Sequence, residues 1–122
     1  MISCPLTTTA ILLALATLCS GTDYYVDSVE GSDTNDGLSI RTPWKSHTKA
    51  ASVSLGAGDV IHFKSGSAFT GNIEINHSGT AANPITLTSY GEGPLPRFTN
   101  PSTRDCHGNA IILSGDHIVV EN

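Results

Sequence analysis

Basic side chains are scarce in this 122-residue sequence: six Lys and Arg stand against eleven Asp and Glu, and charged residues make up only 14% of the chain. A net charge of −5 offers no cationic surface to a phosphate backbone, which argues against a nucleic-acid partner. An apolar run long enough for a membrane span is also missing. The run "AILLALATL" from Ala10 to Leu18 is too short to cross a bilayer. It reads as the core of a signal peptide, residues 1–21, cleaved after Gly21, with Cys19 and Gly21 at the two positions a signal peptidase inspects. A secreted, extracellular product without a membrane partner after cleavage is the expectation. The usual basic flank is missing, so an uncleaved anchor stays open as the alternative. Lipoprotein processing at Cys19 is disfavoured by bulky Leu18 before it.

Cysteine is scarce too, with three in the chain. Cys4 and Cys19 would leave with the leader, so the exported part keeps only Cys106 and no internal disulfide framework. That thiol is either buried and inert or paired with a partner beyond this chain. The histidines, His47, His62, His77, His107 and His117, show no His-x-x-x-His spacing, which argues against zinc. No Gly-x-Ser-x-Gly elbow, phosphate loop or dinucleotide fingerprint occurs either.

What is present is punctuation typical of an all-β chain after one helix. In "TPWKSHTKAASVSL", Thr42 can cap, Pro43 suits the first turn, and Trp44, Ala51 and Leu55 share a face before Gly56 ends the pattern. Short apolar runs follow: "DVIHF", "NIEIN", "PITLTSY", "AIILSG" and "HIVVEN", each of strand length and separated by Gly, Asn, Asp and Ser. Alternation points Ile61, Phe63, Ile73, Ile75, Ile85, Leu87, Ile118 and Val120 inward. The runs around Ile61 and Leu87 lie roughly two dozen residues apart with "NIEIN" between them, as in a coiled repeat. Mixed connections such as "KSGSAFTG" and "HSGTAAN" favour a parallel solenoid over a sandwich built on tight hairpins, without excluding the sandwich.

The ordered words "YYVDSVEGSDTNDGLSIRTPWKSHTKA", "GDVIHFKSGSAFTGNIEI", "SGTAANPITLTSYGEGPLP" and "AIILSGDHIVVEN" resemble the amino-terminal part of secreted right-handed parallel β-helix proteins of the pectin-lyase-like kind. The resemblance implies an all-β solenoid with a short capping helix: a cap over 22–57 and the first coils over 58–122, incomplete at the carboxyl end. Trp44, Ala51 and Leu55 would then cover the open end of the first coil. Asp33, Asn35 and Asp36 would serve tight turns, with Gly37 taking a positive φ. An EF-hand reading of the loop fails, since Gly37 and Trp44 fall where oxygen ligands belong, while a looser calcium site using Asp27, Asp33 or Asp36 stays open as the alternative to structural turns.

The resemblance also implies a parent protein acting on acidic polysaccharide, pectin-like or alginate-like, by β-elimination. Epimerisation and glycoside hydrolysis are its enzymatic alternatives, and a glycan-binding or adhesion solenoid or a purely structural surface protein the non-enzymatic ones. A lyase needs a base and a carboxylate-neutralising cation, Ca2+ being the one a complete parent could carry. Lys64 and Arg97 lack a neighbouring cluster of acidic ligands, so a solvated turn lysine is the reading of Lys64 and no catalytic residue or cofactor is expected within this chain, while the metal assignment stays open. Asn76-His77-Ser78 is an acceptor sequon for glycosylation of Asn76 if the turn is exposed and the organism modifies secreted proteins. An uncovered last coil is expected to self-associate.

Overall fold

The computed structural model describes residues 21–100 and 111–121. The described chain is mostly β, and its paired strands run parallel. In chain order the elements are β1 (Asp23–Val26), α1 (His47–Ser52), β2 (Val60–Lys64), β3 (Ala68–Thr70), β4 (Ile73–Ile75), β5 (Ile85–Tyr90), β6 (Arg97–Thr99), β7 (Ile111–Leu113) and β8 (Ile118–Val120). Successive strands go to different sheets. A four-stranded sheet has the order β1-β2-β5-β8, while β3 pairs with β6 and β4 with β7. The chain therefore visits the three sheets in the same sequence twice, through β2, β3, β4 and then β5, β6, β7.

Parallel register stacks like on like. Tyr24, Ile61, Leu87 and Val120 lie in one ladder, and Phe69 lies opposite Phe98. Because side chains alternate along a strand, these ladders point inward as a set. The core comprises Val26, Ile61, Phe63, Phe69, Ile73, Ile75, Ile85 and Leu87, with Trp44, Ala50 and Leu55 from the cap. Ile118 is only half-buried, and exposure rises along one ladder from 0% at Ile61 and 3% at Leu87 to 51% at Val120.

The helix is shorter than its sequence pattern suggests. It starts at His47, not within Thr42-Pro43, because Trp44 belongs to the sheet system: its N–H donates to the Tyr25 carbonyl and its own carbonyl accepts from Asp27. Ser46 is the N-cap, its hydroxyl accepting from the Lys49 amide. The helical face turned inward carries His47 and Ala50; Ala51, expected there, is only partly buried against the core. Trp44 and Leu55 are buried as expected, but from extended segments flanking the helix.

Two short strands lie outside the strand-length runs picked out in the sequence. "KSGSAFTG" contains β3, and the Pro-rich stretch after Tyr90 leads into β6. Their pairing is anchored by Phe69 stacked on Phe98, with ring centroids 5.0 Å apart, and Phe63 meets both edge-on. His117, expected inside a strand, instead precedes β8 with φ 55°, and its carbonyl accepts from the Ile85 amide. Among the described residues no helix is long and apolar enough to cross a membrane. The leader, Cys106 and His107 lie outside the described residues.

Candidate functional site

The acidic loop is a structural clasp. Asp27 accepts from the amides of Val29 and Glu30, and Asp36 from the Leu38 amide and the Thr42 hydroxyl. One oxygen of Asp33 accepts from the amides of Lys45 and Ser46, and the other from the Ser46 hydroxyl, tying the loop to the start of α1. Asp59 likewise accepts from the amides of Thr22 and Gly56. Burial opposes the charge of Asp33, yet the bonds from Ser46 and Lys45, helped by the Lys49 charge, hold its carboxyl below the usual 3.8. Asp36 is also held low, by the Leu38 amide first and the Thr42 hydroxyl next. Among the described residues no group of three or more His, Cys, Asp or Glu side chains is placed to hold a metal ion.

Trp44 is the centre of the packing between the acidic loop, β1 and α1. Its ring stacks on Tyr24 at 5.2 Å, carries the Lys49 ammonium at 5.9 Å, and donates from Nε1 to the Asn35 carbonyl at 2.8 Å. Gly37 presses on that ring with φ 70°, and a Cβ there would collide with the indole. His47 closes the other side: its Nε2 bonds to the Asn72 carbonyl at 3.0 Å, while its ring meets Phe69 and Phe98 edge-on.

The chemistry-bearing side chains gather on the outer face of the four-stranded sheet. Strand alternation that sends Ile61 and Phe63 inward sends His62 and Lys64 outward. Tyr25 is the register partner of His62, and their rings stack at 4.7 Å. Tyr90 leans across, edge-on to Tyr25 at 5.4 Å and to His62 at 6.4 Å. Asp23 bonds to His62 Nε2 at 3.1 Å, and the Lys64 ammonium stands 5.4 Å from the Tyr90 ring centroid. Burial, together with the nearby Asp27 charge and Tyr25, pushes the Tyr90 phenol up to about 12, so it remains a hydrogen-bond donor at ordinary pH.

Lys64, expected as a solvated turn residue, thus joins an aromatic cluster that the sequence reading did not assemble. The signal lay in the strand parity of Tyr25, His62, Lys64 and Tyr90, the last being the register partner of Lys64. Arg97 opens β6 on an exposed position, in another sheet from Lys64. His77 is half-buried at the turn after β4, and its Nδ1 has no hydrogen-bond partner. Asn76 is exposed, and the sequon hydroxyl of Ser78 accepts from the Asp116 amide.

No family model matches the sequence. A lacto-N-biosidase from Bifidobacterium longum subsp. longum is 43% identical over 82 residues, which cover 62% of this chain and 5% of that protein. Two crystal structures of the GH136 lacto-N-biosidase from Eubacterium ramulus superpose on 92% of this chain with a TM-score of 0.69. The selenomethionine derivative is 25% identical over 21% of its chain, and the native protein 24% over 20%. The chain thus spans about a twentieth of the curated relative and about a fifth of the solved structures. These relatives correct the pectin-lyase-like resemblance: they are named as glycoside hydrolases, not lyases. β-Elimination of acidic polysaccharide is overturned with it. The loose words that suggested a lyase report parallel-strand punctuation, which different chemistries share.

Proposed function

We propose that this chain is a capped section of a right-handed parallel β-helix in a secreted carbohydrate-active protein that acts on oligosaccharides by glycoside hydrolysis. The observation that carries the reading is the 43% identity to a lacto-N-biosidase, reinforced by the superposition on a GH136 lacto-N-biosidase. Handedness is supported by the repeated order of three parallel sheets, since crossovers between parallel strands are right-handed in about 98% of cases. Glycoside hydrolysis generally needs two carboxyl groups flanking the scissile bond. Four carboxylates here, Asp27, Asp33, Asp36 and Asp59, are engaged with backbone amides, so the role argued for this section is to cap the helix and present its outer face.

Export is part of the same reading, supported by the apolar run before Leu18 and by Thr22, which is already tied to Asp59 and Val60. A secreted product beginning at Thr22 on amino-terminal sequencing is the expected result. The exposed Val120 of the inward ladder supports self-association of the isolated chain. The function is tested by incubating the natural full-length protein with a chromogenic aryl lacto-N-bioside. Release of the chromophore supports the reading, and inertness towards it overturns it.

A further inference from the structure

Beside the Tyr25, His62 and Tyr90 cluster, the acidic loop and the ends of β2 and β5 enclose a groove. Its volume is about 390 Å³, and it is lined by Asp27, Glu30, Ile40, Lys64, Tyr90 and Gly91. That volume falls within the range of small-ligand sites. A second cavity, about 230 Å³ and bounded by core side chains such as Phe63, Ile73 and Leu87, opens on the core and has few polar groups to orient a ligand.

The groove's chemistry restricts its occupant. Two carboxylates face one ammonium, so an anionic ligand meets net repulsion in an already acidic chain. The Oδ1 of Asp27 is occupied by the Val29 and Glu30 amides, which leaves its Oδ2 and the exposed Glu30 carboxylate as side-chain acceptors. Lys64 and the Tyr90 hydroxyl supply donors, and Ile40 supplies an apolar wall. Within the same 390 Å³, a wholly apolar ligand would strip water from Glu30 and Lys64 without replacing it. A neutral sugar ring satisfies each group: its C–H edges lie on Ile40 and Tyr90, and its hydroxyls donate to Glu30 and accept from Lys64.

We propose that this groove is a binding subsite for a neutral pyranose unit, held by Glu30, Lys64 and Tyr90. The proposal rests on the carbohydrate reading above and adds a location and a charge class to it. The test is NMR titration of the natural full-length protein with lacto-N-biose, with tetragalacturonate as the charged control. Folding of each variant is checked by circular dichroism, and hydrolysis of the aryl lacto-N-bioside is assayed in parallel. Lacto-N-biose should shift the amides of Glu30, Lys64 and Gly91. Lys64→Ala and Glu30→Gln should each weaken that response about tenfold. Unchanged affinity in both folded variants, preference for tetragalacturonate, or no shift at these amides overturns the subsite. If hydrolysis persists under any of those results, the carbohydrate reading stands; if it is absent as well, both fall.

Discussion

At the scale of single residues, Trp44 and its neighbours close the core beside β1. The indole is 3% exposed, stacked on Tyr24 and hydrogen-bonded to Asn35. Trp44→Ala should therefore cost about 3 kcal/mol in chemical denaturation, and a change near zero would mean that the ring is not the plug. Gly37→Ala attacks the same packing from outside, through a positive φ and a Cβ driven into the indole. A loss of about 2 kcal/mol is expected on the same measurement. The clasp carboxylates add an acid sensitivity. Asp33 and Asp36 are held below 3.8 in the fold, so the stability they contribute is full above pH 3.8 and is lost as pH falls through their lowered values. Thermal unfolding followed from pH 6 downward should show that loss, and Asp33→Asn should flatten it.

At the scale of elements, α1 is a six-residue helix that cannot stand alone and depends on its docking. His47 provides that docking through Asn72, Phe69 and Phe98. His47→Ala should cost about 2 kcal/mol and raise amide exchange across α1 before β2 and β5. Uniform exchange in all three elements would contradict a separately docked cap. The strands around Ile61, Ile73, Leu87 and Ile118 were legible because alternation marks a half-buried strand from local residues alone. The three-residue β3 and β6 were not, since a single inward Phe in each is too little to show alternation and the strands exist through Phe69 meeting Phe98. The helix start was misplaced for a similar reason: Trp44 looks like the first residue of an amphipathic face, but its backbone is claimed by β1, which is distant in sequence. The outer cluster follows strand parity: alternation that sends Ile85 and Leu87 inward puts Tyr90 outward as the register partner of Lys64, beside Tyr25 and His62. Only the tilt that brings Tyr90 across β2 to Tyr25 is not encoded in spacing.

At the scale of the whole molecule, three parallel sheets visited in a fixed order make each turn of chain a layer on the one before. Inward ladders then carry stability, and outward positions are free to carry recognition. This separation explains why the all-β class with parallel strands was readable while the chemistry was misread: a lyase and a glycosidase can share the inward pattern and differ only on the outer face. The most direct test of the account is product analysis by mass spectrometry after the natural full-length protein has cleaved a lacto-N-bioside-terminated oligosaccharide in heavy-oxygen water. Hydrolysis predicts one solvent oxygen in the products and no cleavage of polyuronide. Unsaturated, unlabelled products from polyuronide, with the neutral oligosaccharide left intact, would contradict it.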